Sequence, residues 1–264
     1  MLNSGIKKIV ILGAGRLAIN LSIAILDRGY EIVEVCNRTQ SKGKRLAEKV
    51  ESKYIREPEL ITPDADLYII AVSDTAIPSL LNRIPKVKGL IVHTSGSVNM
   101  DVFKGAFNNF GVIYPSQTFT RQMLEFRNVP ICIEANSATN LALIKAFASS
   151  LSGFVYDINS DQRKILHLAA VFANNFTNFM YSISEELLNE KGMDFSLLYP
   201  IIRHTTENSL SGGVVKNQTG PAVRGDKETI GKHLELLSSH PDYKDIYELI
   251  TRNIIKRKKN HDQL

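Results

Sequence analysis

Short apolar runs alternate with amphipathic stretches along the first 158 residues of the chain. The runs are bounded by turn-forming residues, which is typical of buried strands, and the stretches between them have helical spacing. Strands are predicted before Gly13 and at 31–36, 67–72, 90–93, 112–114, 131–134 and 154–157. Helices are predicted at 16–28, 41–51, 75–83 and 136–151. This alternation predicts an α/β fold with a mostly parallel sheet and helices on both faces.

The pattern changes after Ser160, where the strand signals stop. Residues 161–190 are predicted to form one long helix that ends near Gly192, because glycine is common just past a helix end. Apolar residues extend around most of its circumference, so we expect it to be buried against the first domain or a second subunit. Further helices are predicted at 194–210, 226–238 and 242–257. We therefore expect an α/β domain at 1–158 and an all-helical domain at 159–264, with the boundary near Asn159.

The turn after the first strand reads Gly-x-Gly-x-x-Ala and opens the first predicted helix. Gly13 lets the strand turn tightly, Gly15 removes a Cβ that would block a pyrophosphate, and Ala18 lets the helix pack closely on the strand. The helix N-terminus presents unpaired N–H groups and the positive end of its dipole. Because strand, turn, helix and second strand follow in order, the motif predicts a dinucleotide site. Its candidate residues are Gly13, Gly15, Arg16 and Leu17.

The residues just after the second predicted strand decide between NAD and NADP. An acidic residue there would accept a hydrogen bond from the ribose 2′-hydroxyl of NAD. The chain instead has Asn37, Arg38 and Thr39, and such cationic and hydroxyl groups suit a 2′-phosphate. Glu34 lies inside the strand, short of the usual position of that acid. NADP is therefore the expected cofactor, the alternative being that Arg38 belongs to a solvated loop.

Small hydrogen-bonding residues follow three of the predicted strands at their carboxyl ends, the edge where open α/β sheets bind ligands. Asp74 is also expected to cap the helix predicted from Thr75. For Ser95 and Gly96, a close backbone approach to the cofactor and an ordinary turn both remain open. The candidates for cofactor binding at this edge are Val72, Ser73, Asp74, Thr94, Ser95 and Gly96, and Gln117 is a candidate for substrate binding.

Polar residues recur on one face of the long predicted helix. His167, Val171, Asn174 and Asn178 are spaced by four, three and four residues, and Asn175 lies beside them. A buried polar stripe needs hydrogen-bond partners, which a substrate pocket would provide. His167 is the candidate proton donor because histidine titrates near neutral pH, although a structural histidine is the alternative. Asn174 and Asn175 are candidates for substrate binding.

Residues 219–226 read TGPAVRGD and are dense in turn formers. Arg224 could hold a substrate carboxylate or a cofactor phosphate, and Thr219 lies beside it as a further substrate-binding candidate. Asp226 is expected to cap the helix that begins at Lys227. A capped turn between helices explains every residue except the arginine, so both interpretations remain open.

The composition is that of an ordinary globular protein of about two domains, with 264 residues, 44% hydrophobic and 22% charged. No apolar run reaches the roughly 18 residues of a membrane span, and no signal peptide is indicated, so a cytoplasmic location is expected. Cys36 and Cys132 are expected to be reduced packing residues, and the scattered histidines predict no metal site. The net charge of +5 is partly concentrated at 256–259. A frayed basic terminus is favoured over a nucleic-acid arm, since no aromatic residues interleave there.

These motifs resemble those of a Rossmann-type family of candidate NADP oxidoreductases with a C-terminal helical domain of unknown function. The resemblance covers nearly the whole chain. It is carried by GAGRLA at 13–18, NRT at 37–39, PSQTF at 115–119, the helix from His167 to Asn175 and, most specifically, TGPAVRGD. More distantly, the arrangement is similar to pyrroline-5-carboxylate reductases and β-hydroxyacid dehydrogenases. Those families imply NADPH, hydride transfer to an imine or keto acid, and homodimers built through the helical domain.

The chain departs from these families at two positions. Tyr114 stands where the family that the chain most resembles often has histidine, so no proton-transfer role is assigned to it. The β-hydroxyacid dehydrogenases place a catalytic lysine one helical turn before an asparagine of the long helix. Counting back from Asn175 gives Val171, so their mechanism does not transfer to this chain.

The expected function is that of an NADP(H)-dependent oxidoreductase acting on a small carbonyl or imine substrate that carries a carboxylate. His167 would donate the proton, and Asn175 and Arg224 would orient the substrate between the domains. The alternative is a non-catalytic NADP-binding sensor or assembly module, which the missing lysine favours. Nucleic-acid binding through the basic tail is a third, less favoured possibility.

Overall fold

A computed structural model of the protein describes residues 5–120 and 124–261. Within these residues, eight strands form one sheet in the order β3-β2-β1-β4-β5-β6-β7-β8. All neighbouring strands are parallel except β6 and β7, so the predicted α/β fold with a mostly parallel sheet is confirmed. The strands are β1 Lys8–Leu12, β2 Glu31–Cys36, β3 Lys53–Ile55, β4 Leu67–Ile70, β5 Leu90–His93, β6 Phe110–Pro115, β7 Ile131–Ala135 and β8 Val155–Asp157.

Helices cover both faces of the sheet because its central strands are apolar on both sides. In β1, Ile9 and Ile11 pack into one apolar cluster, whereas Val10 and Leu12 pack into another on the opposite face. The chain runs outward from β1 to β3 and then returns to β4 on the other side of β1. A crevice is expected where strand order reverses in this way. The helices of this part are α1 Arg16–Asp27, α2 Gln40–Lys49, α3 Ile77–Leu81, α4 Ala138–Leu151 and α5 Ser160–Ala170.

Several element bounds differ from the sequence prediction. Strand β3 was not predicted, because it has three residues and only Ile55 is buried. The helix predicted at 75–83 is a 3₁₀ turn at Asp74–Ala76 followed by the short α3. Strand β4 ends at Ile70, two residues early, and β6 is longer than predicted at both ends.

The long helix predicted at 161–190 is interrupted. Helix α5 ends at Ala170, a π-helical segment spans Val171–Phe176, and α6 spans Thr177–Asn189. The π segment has i→i+5 hydrogen bonding, so an α-helical projection does not hold beyond residue 170. Ile165 is 67% exposed and Leu168 is 53% exposed in the single chain, so these residues are not buried against the first domain. The other predicted alternative, burial against a second subunit, stays a prediction. The end near Gly192 is confirmed, with Gly192 at φ +67° and the Met193 N–H bonded to the Leu188 carbonyl at 3.0 Å.

The chain divides into two compact units, residues 1–174 and 175–264. Helix α5 belongs to the first unit, and the predicted boundary near Asn159 stays a prediction. The described residues of the second unit contain helices and no strand, as expected. None of the described helices combines the length and apolar character needed to cross a membrane. The helices of the second unit are α6, α7 Tyr199–Leu210, α8 Pro221–Arg224, α9 Lys227–Leu236 and α10 Pro241–His261.

Candidate functional site

A cavity of about 860 Å³ opens at the carboxyl ends of β1, β2 and β4. It lies at the point of strand reversal, where open α/β sheets bind their ligands. The structure therefore brings together three segments that are far apart in the sequence: the turns after β1, β2 and β4. Most of the predicted cofactor residues line this cavity, namely Gly13, Gly15, Arg16, Leu17, Asn37, Arg38, Thr39, Val72 and Ser73.

The turn after β1 has the shape that a diphosphate requires. Gly13 has φ +123°, and a Cβ there would lie 2.2 Å from the Ala71 carbonyl oxygen, so only glycine fits. A Cβ on Gly15 would meet no atom within 4 Å and would project into the cavity. Helix α1 begins at Arg16 without a side-chain cap, so the N–H groups of its first turn are available to an anion. The residues present fit the diphosphate of a dinucleotide.

The turn after β2 presents a positively charged side chain to the cavity, whereas the nearest carboxylate of β2 is turned away from the cavity. Arg38 is exposed and lines the cavity. Glu34 is buried, and its carboxylate accepts a hydrogen bond from the Thr62 N–H at 2.8 Å. Glu34 therefore lies away from the position at which an acid would bind the ribose of NAD, and this agrees with the sequence prediction. The Asn37 amide donates to the Thr39 carbonyl at 2.8 Å, which fixes the turn itself.

The cavity wall between β3 and α3 was not predicted from the sequence. Arg83 bonds to Glu57 at 2.7 Å and to Glu59 at 2.7 Å. The hydrogen bond from Arg83 to Glu59 holds the pKa of the Glu59 carboxyl below its ordinary value. Because all three side chains are about half exposed, the ion pairs add little stability and leave the cluster adaptable. No sequence signal marked this wall. Its missed lining residues are Arg56, Glu57 and Pro58, which follow the unpredicted strand β3, and Arg83, which follows α3.

Both cysteines are buried and free, as predicted. Cys36 lines the floor of the cavity, and burial, together with the nearby Glu34 carboxylate, raises the pKa of its thiol to about 12. Burial also raises the pKa of Cys132. Both thiols therefore stay protonated at neutral pH and behave as apolar packing groups.

A second polar group lies at the carboxyl ends of β5 and β6 and centres on His167. The Tyr114 hydroxyl on β6 is 3.1 Å from Nδ1 of His167 on α5, and the two rings meet edge to face at 82°. The loop after β5 packs against the same ring, because a Cβ on Gly96 would lie 2.7 Å from His167 Cγ. Gly96 thus lies close to His167 within the chain, and its predicted approach to the cofactor stays a prediction. Thr94 and Ser95 are buried in this loop and do not line the cavity.

Asp74 does not cap a helix, so that prediction is wrong. Ser73 occupies the N-cap position of the 3₁₀ turn, and neither side chain bonds to its N–H groups. The Asp74 carboxylate instead accepts a hydrogen bond from the Ser97 hydroxyl. The sequence could not predict this, because the donor comes from the loop after the next strand. The bond joins the loops after β4 and β5 beside the site.

A buried ion pair anchors α5 to the sheet. The Arg163 side chain is 1% exposed, and its Nη1 lies 2.5 Å from Oε2 of Glu134 on β7. Its Nη2 donates to the Val98 carbonyl at 2.6 Å. Ser160 donates from its N–H and its hydroxyl to the same Glu134 carboxylate, at 2.9 and 2.7 Å. Because His167 follows Arg163 by one helical turn, this network also fixes the backbone that carries His167.

His93 at the end of β5 is a second histidine near this edge, fully buried and stacked on Phe103. Its Nδ1 accepts a hydrogen bond from the Ser95 N–H at 3.2 Å. Burial and the charge of Arg163 lower its pKa to about 3, so the imidazole is neutral at physiological pH. His93 is therefore a buried, uncharged side chain.

The candidate substrate residues fall into two groups. In the first unit, Asn174 donates to the Thr118 hydroxyl at 2.8 Å, and Gln117 precedes Thr118 in the loop after β6. The loop after β6 thus holds Asn174 beside Gln117. The polar stripe does not continue to Asn178, because the π segment intervenes.

In the second unit, Asp226 caps α9 as predicted. It accepts from the Thr229 N–H at 3.0 Å and from the Thr229 hydroxyl at 2.7 Å, and these bonds lower the pKa of Asp226. Arg224 ends α8 with its side chain exposed, and Thr219 precedes that helix. Asn175 lies in the π segment. The substrate roles of Asn175, Thr219 and Arg224 stay predictions.

Family comparisons agree with this geometry. A family described as NADP oxidoreductase, coenzyme F420-dependent, matches residues 8–94, which contain the turns after β1, β2 and β4. A family described as a domain of unknown function (DUF2520) matches residues 129–254. A comparison with curated proteins gave no match.

The solved structure of a candidate NADP oxidoreductase from Bacteroides fragilis is 39% identical to this chain. The match covers 96% of this chain and 100% of that protein, with a TM-score of 0.88. The chain belongs to the NADP oxidoreductase family. It is an NADP-dependent oxidoreductase, and NADP is its cofactor.

Two more distant structures share the fold of this oxidoreductase. An imine reductase from Myxococcus stipitatus, solved with NADP⁺, is 17% identical, with 95% of this chain and 94% of that protein covered and a TM-score of 0.71. A 1-pyrroline-5-carboxylate reductase from Streptococcus pyogenes is 16% identical, with coverages of 94% and 98% and a TM-score of 0.58. At these identities the likeness concerns the fold alone.

Proposed function

We propose that this oxidoreductase transfers a hydride to or from a small carbonyl or imine substrate with a carboxylate as its anionic group. The observation that carries the proposal is the position of His167. Its ring lies against Gly96 and Tyr114 at the carboxyl edge of the sheet, the same edge that holds the cofactor cavity. Asn174 and Gln117 add hydrogen-bonding groups at this edge.

Different residues of the chain bind the cofactor, bind the substrate and transfer the proton. The Gly15 turn and the N-terminus of α1 would bind the diphosphate, and Arg38 would bind the 2′-phosphate. NADPH, when bound, supplies the hydride. His167 donates a proton from its ring to the carbonyl oxygen or imine nitrogen, and takes the proton up in the reverse direction. Asn174 and Gln117 orient the substrate, and Arg224 is the candidate for its carboxylate.

The test is NADPH oxidation with a panel of small keto acids, imines and aldehydes. A substrate of the proposed class should be reduced, and His167→Ala should lower its kcat by about 10²–10⁴-fold, the range for a general acid, with NADPH affinity nearly unchanged. His204→Ala, which removes an exposed histidine of α7, is the matched control and should behave like the wild type. Turnover of no substrate would favour a non-catalytic NADP-binding module, and unchanged turnover in His167→Ala would refute the role of His167.

Exposed apolar side chains support a second part of the proposal, that the protein is a homodimer built through its helices. Ile165 and Leu168 are exposed on α5, and Tyr199 and Ile201 are exposed on α7. Ile165 and Leu168 are three residues apart and so share one face of α5, and an exposed apolar face is typical of an interface. Sedimentation equilibrium should give twice the chain mass, and a monomer at micromolar concentration would contradict this proposal.

A further inference from the structure

We infer that Tyr114 is a positioning residue that selects the reacting atom of His167: it binds Nδ1 and leaves Nε2 to exchange a proton with the substrate. This inference rests on the proposed function, in which His167 is the proton donor.

The geometry around the ring supports this assignment. Tyr114 is 8% exposed, and its hydroxyl lies 3.1 Å from Nδ1. Gly96 packs directly against Cγ and Nδ1, so the ring cannot turn freely over the loop after β5. Within residues 5–120 and 124–174, the structure gives a hydrogen-bond partner to Nδ1 and none to Nε2. Nε2 is therefore the ring nitrogen left for a ligand.

A phenol is suited to this role because its oxygen can accept a hydrogen bond. It accepts from Nδ1–H when the ring is protonated, and it still accepts from Nδ1–H after Nε2 has given its proton to the substrate. Burial raises the pKa of Tyr114, although a hydrogen bond with the Ser116 side chain opposes the shift. The phenol therefore keeps its proton at neutral pH. It holds the ring in both charge states of His167 and does not itself release the proton.

No other ionisable group among the described residues of the first unit takes the place of Tyr114. Arg163 on α5 is occupied by Glu134 and the Val98 carbonyl. The Asp74 carboxylate accepts from Ser97. The contact to Nδ1 therefore depends on the Tyr114 hydroxyl.

Tyr114→Phe removes only this hydroxyl and tests the inference. We expect kcat to fall roughly three- to tenfold, as for the loss of one hydrogen bond, with KM and the Kd for NADPH within about twofold of the wild type. Tyr156→Phe, at an exposed tyrosine of β8, is the matched control and should change none of these values. In a His167→Ala background, Tyr114→Phe should lower kcat no further, because the two residues act as a unit.

An NMR measurement tests the same inference without relying on turnover. In protein labelled with ¹⁵N-histidine, Tyr114→Phe should move the Nδ1 resonance of His167, and a substrate analogue should move the Nε2 resonance. Unchanged kcat in Tyr114→Phe, independent effects of the two substitutions, or an analogue that moves Nδ1 would each overturn the inference while His167 remains the acid. Unchanged kcat in His167→Ala would instead overturn the proposed function itself.

Discussion

Replacing Glu134 by glutamine should test how far the buried ion pair supports the site. The substitution leaves the Arg163 guanidinium, 1% exposed, without its counter-charge, whereas the amide oxygen of glutamine can still accept one hydrogen bond. Breaking a buried pair lowers the free energy of unfolding by about 3–5 kcal/mol. Because glutamine keeps one acceptor, we expect a loss of about 3 kcal/mol. The Tm of a protein of this size shifts by about 2–4 °C per kcal/mol, so the Tm of the transition that unfolds the sheet should fall by roughly 6–12 °C.

Urea unfolding monitored by circular dichroism measures this loss, and two variants serve as comparisons. Asp161→Asn breaks an exposed ion pair with Lys164 on the same helix and should cost less than about 1 kcal/mol. The double variant Glu134→Gln/Arg163→Met removes the unpaired positive charge and should recover part of the lost free energy of unfolding. Because Arg163 lies one turn before His167, kcat should fall in Glu134→Gln as well. A stability change no larger than that of Asp161→Asn would refute the anchoring role of the pair.

Three further predictions concern individual residues. Arg38→Ala should raise the Kd for NADPH by roughly ten- to a hundredfold, measured by calorimetry, and leave the Kd for NADH unchanged, since only NADPH carries the 2′-phosphate. Gly96→Ala should lower kcat without weakening NADPH binding, because the new Cβ would lie within 3 Å of His167; equal kcat values would contradict this contact. His93 binds protons less readily in the folded state (pKa about 3) than in the unfolded chain (ordinary value 6.5). The wild type should therefore lose stability faster than His93→Gln as pH falls from 6.5 toward 3, and parallel unfolding curves would disprove the shift.

The sequence predicts which residues come together in the cavity at β1, β2 and β4, because the requirements there are local. Strand β2 has the predicted bounds, and Gly13 has the positive φ that a tight turn after β1 demands. The residues after β2 and β4 then follow from the rule that parallel strands present their carboxyl ends at one edge. Nine predicted cofactor residues meet in one cavity for this reason.

The region around His167 was less predictable because its contacts join distant parts of the chain. Tyr114 and His167 are 53 residues apart, and their pairing depends on how α5 crosses the edge of the sheet. Arg163 has the character of a surface residue in the sequence, yet Glu134 and a carbonyl from another loop allow it to be buried. The π segment leaves no composition signal, and the antiparallel direction of β7 depends on its pairing with β6.

The most direct test of the account is calorimetric titration of NADPH into Gly15→Ala. Gly15 has backbone angles that alanine adopts freely, and the added Cβ meets no protein atom within 4 Å, so the variant should fold normally. Gly231→Ala, at another glycine with open space, is the control. We predict saturable binding to the wild type and the control, and at least tenfold weaker binding to Gly15→Ala. Equal affinity in all three proteins, or no binding to the wild type, would contradict the claim that the turn after β1 holds the NADP diphosphate.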